Sequence, residues 1–262
     1  MKRRFVQTIS LLILHSSWGP QIKWICTPVL SCHSCVLSWF ACPIGVFVHF
    51  AGYHTFPFLA LGIILLLGVL LGRLLCGWAC PFGFLQDLLY KIPSRKISLP
   101  HWADNIKYFV LIIMVLLLPF IFGEETWYSF CRICPASALQ VSLPSLISSQ
   151  FNNISVGTIV RFAFLFIIIT LAILCSRSFC RTICPIGALL APLNYISFWT
   201  IKIPQDKCIS CKRCDKICIT DVEPSKRIIE NIAPNRELDC VVCHDCKSAC
   251  EQINSKINST ES

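Results

Sequence analysis

Charge is what this 262-residue chain has least of: 14% of its residues are charged against 55% apolar. That balance excludes a disordered chain, which is rich in charge and poor in apolar residues, and it does not fit an ordinary water-soluble domain. Acidic residues are scarcest in residues 1–200, which hold 13 Lys/Arg against 4 Asp/Glu. Residues 201–262 hold 10 of each, so the whole net charge of +9 lies in the apolar part. A basic excess confined there concerns membrane orientation and argues against a nucleic-acid partner. No GxGxxG follows a strand, no GxxxxGK[ST] loop occurs and no Ser-His-Asp grouping can be argued, so no nucleotide or hydrolytic site is visible. His15, His49 and His54 are not spaced one above another on two spans, which removes the axial-ligand pattern of a bilayer haem.

Long apolar runs are present in their place. Phe56–Leu75, Tyr108–Phe122 and Thr158–Cys175 approach the ~20 residues needed to cross a hydrocarbon core, with Ile106 and Ile154 available to complete the second and third. Pro119 is expected to kink or end the second run. A weaker run, Phe5–Trp18, follows Lys2, Arg3 and Arg4; no small-x-small cleavage site follows it, so it is read as a retained span. Lys and Arg cluster at the N-terminus, between Arg73 and Lys107, and at Arg177 and Arg181. The loops Gly19–Thr55 and Gly123–Ser155 hold only Lys23 and Arg132, the latter near Glu124 and Glu125. The positive-inside rule then predicts a multi-pass protein of the cytoplasmic membrane with both termini inside. The expected fold is an α-helical membrane protein, with four transmembrane helices as two parallel repeats (residues 1–200) and a C-terminal bacterial two-[4Fe–4S] ferredoxin-like domain (residues 201–262).

The repeat is carried by cysteine, of which there are 19. Arg73-Leu-Leu-Cys76-Gly-Trp-Ala-Cys80-Pro81 aligns with Arg177-Ser-Phe-Cys180-Arg-Thr-Ile-Cys184-Pro185, both reading RxxCxxxCPxG. Two outward loops carry related pieces, Cys32-His-Ser-Cys35 with Cys42-Pro43, and Cys131-Arg-Ile-Cys134-Pro135. Proline suits a first helical turn, so each Cys-Pro is expected to open a helix. Two cysteines from each inner motif give four thiolates, the number an iron–sulfur cluster requires. In the tail, Cys208, Cys211, Cys214 and Cys218, then Cys240, Cys243, Cys246 and Cys250, repeat the bacterial ferredoxin spacing CxxCxxCxxxC. In that spacing three cysteines hold one cluster and the fourth reaches the other. The expected ligand sets are therefore Cys208, Cys211, Cys214 and Cys250, and Cys240, Cys243, Cys246 and Cys218. Ile219 and Glu251 stand where proline usually follows the fourth cysteine. A pair of structural zinc sites is the rival reading of CxxC pairs.

With LCGWACPFG, FCRTICPIG, CHSC…ACPIG, FCRICPAS and both tail motifs, the chain resembles the membrane polyferredoxins of the NapH/MauN type and the C-terminal part of NosR over nearly its whole length. The resemblance implies a four-span electron-transfer protein with a cytoplasmic two-cluster domain and a role for Cys76, Cys80, Cys180 and Cys184. Those four are read as ligands of a third [4Fe–4S] cluster, against a soft-metal or thiol site or buried cysteines that only pack. Arg73 and Arg177 either tune that cluster's charge or snorkel to the membrane surface. The outer cysteines are read as a fourth cluster on Cys32, Cys35, Cys131 and Cys134, with Cys42 as a substitute, against one or two disulfides. Cys26 and Cys175 are expected to pack.

The function that follows is relay of electrons between the ferredoxin domain and either quinone or a partner oxidoreductase. Trp78, Phe82 and Phe84 are candidates for a quinone pocket or for interfacial anchors. An assembly factor for a partner metalloenzyme and a redox sensor are the rivals.

Overall fold

The computed structural model describes residues 2–16, 23, 25–32, 34–35, 38–123, 128–148, 155–203 and 208–260, without the side chains of Lys2 and 253–260. Ser17 and Trp18 of the Phe5–Trp18 run, Glu124, Glu125 and Ile154 thus lie outside the described residues. Every described element is helical; an isolated parallel bridge between Cys26 and Ala41 is the nearest approach to a strand.

Two helices are long and apolar enough to cross a bilayer, α6 (His101–Phe122) and α9 (Val156–Leu174), and only 22% and 17% of their apolar windows face inward. Their outer faces present residues such as Phe109, Ile112, Val160 and Phe166, a contiguous apolar skin that water would not tolerate. The other two expected spans are shorter. Helix α1 (Lys2–Leu14) has 13 residues and α3 (Phe58–Leu71) has 14, about 20 Å of rise each against a core of about 30 Å. α3 stops at Gly72, whose φ of +59° suits glycine. The chain turns there because Arg73 must leave the helix to reach the motif of the other half.

Helix α6 runs past Pro119 and ends at Gly123. Proline is tolerated because the preceding stretch, Val110–Leu117, is a π-helix, whose wider turn relieves the clash between a proline ring and the carbonyl a turn before it. In α9 the opening is capped by Ser155, whose Oγ accepts from the Thr158 N–H at 3.3 Å.

All four Cys-Pro pairs open helices, as proline at the first turn dictates: α2 (Pro43–Gly52), α5 (Pro81–Leu89), α8 (135–148) and α11 (Pro185–Ile196). The inner motifs share one build, a five-residue helix and then a Cys-Pro helix. Leu74–Trp78 (α4) precedes α5, and Ser178–Thr182 (α10) precedes α11. At the end where α9 begins lie α2, α7 (Phe130–Ile133) and α8; at the end where α9 finishes lie α4, α5, α10 and the tail. The tail contributes α12 (Arg213–Ile217), α13 (Pro224–Ile229) and α14 (Asp245–Thr260). One continuous core contains Cys42, Cys76, Cys80, Cys134 and Cys184.

Candidate metal centres

The tail motifs wrap their loops identically. Ser210 and Lys212 in the first, Val242 and His244 in the second, occupy the same motif positions with φ of +54°, +52°, +51° and +64°. A β-branched residue such as Val242 is held left-handed only where the surroundings over-determine it, as they do at functional sites. Alternating handedness turns successive backbone N–H groups to one side, the geometry of anion-binding nests at Fe–S sites. Cys208, Cys211, Cys214 and Cys250 line one small cavity of about 30 Å³, closed by Ser225 and Ile228. This is the first expected set, assembled from both motifs. In the second set, Cys240 and Cys246 stand within electrostatic reach of Cys218, and Cys243 of Cys240.

The inner motifs meet face to face. Cys76, Cys80, Cys180 and Cys184 are all buried, and Cys180 and Cys184 each lie within electrostatic reach of Cys76 and Cys80. Burial pushes the Cys76, Cys180 and Cys184 thiols up, Cys180 to about 12, so without a cation these three are held neutral. A bound cation inverts that logic and stabilises thiolates. The arginines cross over. Arg177 Nη1 donates to the Cys76 carbonyl at 3.1 Å and its guanidinium covers Gly83. Arg73 Nη2 donates to the Cys180 carbonyl at 3.4 Å and covers Gly187. A Cβ on Gly187 would meet Arg73 Nη2 at 2.9 Å, which is why glycine follows the Cys-Pro there. Both arginines are at most 1% exposed, so neither snorkels to a surface.

Several residues essential to this site were not singled out from sequence. Gln86 donates to Cys180 Sγ at 3.1 Å and accepts from the Phe179 N–H. Asp87 accepts from Arg177 at 2.7 and 2.8 Å and pairs with Arg3. Gln7 of α1 donates to the Gly77 carbonyl, and Ser10 to that of Ala79. The signal was available, because a polar side chain inside an apolar run marks a site by default. The tail supplies acids to the basic half. Arg73 and the buried Lys107 both pair with Asp239, Arg181 bridges Asp104 and Asp221, and Arg3 reaches Asp245. These basic residues, read from sequence as orientation signals, also form the seat of the ferredoxin-like tail.

The second tail loop lies directly on the inner motif. A Cβ on Gly77 would meet the Val241 carbonyl at 2.3 Å and the Cys243 Cα at 3.7 Å, and Trp78 Nε1 donates to the Val242 carbonyl at 3.1 Å. Trp78 and Phe82 are thereby committed to packing, the latter edge-on against Phe179 at 5.0 Å.

At the opposite end of α9, a cavity of about 340 Å³ is lined by Cys32, Cys42, Cys131 and Cys134. Cys35 is buried but does not line it. Cys26 and Cys175 are buried, as expected of packing cysteines. Among the described residues, no three His, Cys, Asp or Glu side chains converge closely enough to hold a single metal ion. A mononuclear zinc site draws its sulfurs to about 2.3 Å from one atom; the thiols of the first tail set and of the outer set line cavities instead.

A family model described as a 4Fe-4S binding domain matches the chain twice, over residues 53–100 and 157–204. The two matches hold the two inner motifs in the same frame, with Cys76 and Cys80 in one and Cys180 and Cys184 in the other. The ferredoxin-type protein NapH of Haemophilus influenzae is 24% identical over 72% of this chain and 63% of its own length. The chain is a relative of the NapH-type polyferredoxins. The regulatory protein NosR of Pseudomonas aeruginosa is 28% identical over 66% of this chain and 23% of its own. An uncharacterized protein of Methanocaldococcus jannaschii is 28% identical over 72% of this chain and 74% of its own. No solved structure matches. Iron–sulfur chemistry thus rests on the matched domains as well as on cysteine spacing.

Proposed function

We propose that this NapH-type relative is a membrane electron relay with clusters held in series. Residues 1–200 form a four-span, two-repeat membrane domain with both termini in the cytoplasm, and residues 201–262 a two-cluster ferredoxin domain docked on it. Cys208, Cys211, Cys214 and Cys250 hold one cluster, Cys240, Cys243, Cys246 and Cys218 the second, and Cys76, Cys80, Cys180 and Cys184 a third. A [4Fe–4S] cluster, when bound, takes up or releases one electron at a time.

The single observation that carries the reading is the contact at Gly77: the loop of the second tail set rests on the backbone between Cys76 and Cys80. The other residues do supporting work. Arg73 and Arg177 offset thiolate charge from buried positions, and Gln86 donates to a ligand sulfur. Both are levers on cluster potential. The seat of ion pairs holds the tail in register, which a soluble ferredoxin encountering its partner transiently does not need.

A quinone is the proposed partner within the bilayer. Trp78 and Phe82 are occupied, but an apolar groove of about 560 Å³ between α2, α3 and α6 is lined by Phe47, Phe56, Leu111, Ile112 and Phe120, with His54 contributing a polar edge. Such a combination suits an apolar ring with a carbonyl to hydrogen-bond. The redox partner on the ferredoxin side is a protein.

Anaerobic purification with iron and acid-labile sulfide counts tests the reading. At four irons per cubane, the tail and inner sets together give about twelve per chain. About eight, lost entirely when the tail cysteines are replaced, would sink the inner centre.

A further inference from the structure

The two cysteine sites of the apolar domain stand at opposite ends of α9, a helix of 19 residues and about 28 Å. Ser10 on α1 and His15 just past its end touch the surroundings of both. Ser10 donates to the Ala79 carbonyl, beside Cys80, at 2.9 Å. His15 Nε2 lies 2.8 Å from Gln140 Nε2, and Gln140 Oε1 accepts from the Cys32 N–H at 2.6 Å. Ser10 and His15 are five positions apart, about 8 Å of helical rise. Cys42, Cys134, Cys76, Cys80 and Cys184 share one core.

We propose that the outer cavity is a further [4Fe–4S] site, ligated by Cys32, Cys42, Cys131 and Cys134 and not by Cys35, and placed to continue the line of centres across the bundle. Its role as a relay rests on the electron-transfer reading above; its ligation stands by itself. Four cysteine side chains from two chain segments line one cavity. Cys134 lies within reach of Cys42 and Cys32, and Cys42 of Cys32. The pairing of Cys42-Pro43 with Cys134-Pro135 repeats the inner arrangement of Cys80-Pro81 with Cys184-Pro185, each cysteine standing immediately before the first turn of a helix.

The wall also carries charge of the required sign. Arg161 projects from α9, where a cation is costly and marks a site, and it reaches the cavity by donating from Nε to the Arg132 carbonyl at 2.8 Å and from Nη1 to Ser142 Oγ at 3.1 Å. Arg132 lines the cavity too. On ligation four S–H bonds break, four protons leave for solvent and four Fe–S bonds form. The doubly positive core on four thiolates carries two negative charges, and two arginines match them. No change of oxidation state is involved, because the incoming group is a preformed doubly positive [4Fe–4S] core delivered by a carrier, whose own four Fe–S bonds break as its thiolates take up protons from solvent.

The test uses the full chain, purified anaerobically in detergent, with iron, sulfide and EPR measured for single variants. Wild type is expected to hold about sixteen irons and Cys42→Ala about twelve, at four per cubane. Cys35→Ala should match wild type. Cys131→Ala, at a half-buried wall position, should lose the same four irons and decides the matter if Cys42→Ala does not insert. Iron unchanged in Cys131→Ala, or lost equally in Cys35→Ala, overturns the proposal, as does recovery of these cysteines as disulfides in the anaerobic protein. Cys76→Ala and Cys208→Ala are read alongside: if they lose iron and the outer variants do not, the outer site fails alone, and if they retain it the relay reading itself fails.

Discussion

The two inner motifs have the same sequence frame, the same helices and the same arginine crossing to the opposite carbonyl, yet they balance their charge differently. Arg177 takes its counter-ion from Asp87 of the apolar residues 1–200, at 2.7 Å. Arg73 has no such acid, since the position matching Asp87 is Ala191, and it pairs with Asp239 of the tail, one residue before Cys240. Arg177 is thus satisfied without the tail and Arg73 is not. An unpaired buried arginine is strongly unfavourable, so docking of the tail is built into the repeat by the absence of one carboxylate. The second tail loop rests on the Arg73 motif at Gly77, while Asp221 of the tail reaches Arg181 of the other motif.

The largest effect expected is on the centre the two halves share. Cys180→Ala should remove about four irons, one cubane, and leave both tail signals in EPR; equal loss from every centre would show that the halves do not form a separate site. Next come the two acids. Asp87→Asn leaves Arg177 buried without its partner and should cost about 3–5 kcal/mol of stability, seen as a lowered unfolding temperature in detergent. Asp239→Asn takes the carboxylate from two buried cations, Arg73 and Lys107, and should cost a similar amount, but unlike Asp87→Asn it should also release the tail to added protease. Equal protease release from both variants would erase the asymmetry.

The same comparison has a pH signature. Burial alone would raise the Asp87 carboxyl, but hydrogen bonds and charge from Arg177 hold it below its ordinary value. Its contribution is therefore present above about pH 4, the unfolded carboxylate value, and is lost as pH falls through the still lower folded value. Acid titration of unfolding should show this loss in wild type and not in Asp87→Asn. Gly77→Ala is a subtler probe: its Cβ cannot stand 2.3 Å from the Val241 carbonyl, so the tail loop must move outward. All clusters should remain, while electron equilibration between tail and inner centres slows in stopped-flow reduction. Smallest of all, Gln86→Leu removes a hydrogen bond to Cys180 Sγ and should make the inner centre harder to reduce, measured by a redox titration followed by EPR.

Much of the site was legible because its chemistry is written in short spacings. CxxCxxCxxxC and CxxxCP are local patterns, and proline at the first turn fixes where a helix begins, so the four Cys-Pro helices and the first tail set could be placed residue by residue. Long apolar runs located α6 and α9 for the same reason. The span lengths of α1 and α3 were less legible, because an apolar run does not show where Gly72 in a left-handed turn will stop the helix. Arg73, Arg177, Lys107 and Arg181 read as a charge pattern along the chain, but their partners are acids far away in sequence, and only folding makes one an ion pair with Asp239 and another with Asp87.

By itself, then, the sequence determined which residues are equipped to hold iron, that they come in repeated sets, and that they sit on an apolar helical scaffold. These follow from ligand chemistry and from periodicities only a few residues long. The tertiary structure alone decided which sets face one another, that the second tail loop rests on Gly77, that Cys42 and not Cys35 lines the outer cavity, and that Ser10 and His15 at the end of the first helix reach the inner and outer loops. Those outcomes depend on burial: a guanidinium, an amide or a thiol removed from water must find its partner inside the protein, and that partner lies wherever packing has brought the rest of the chain.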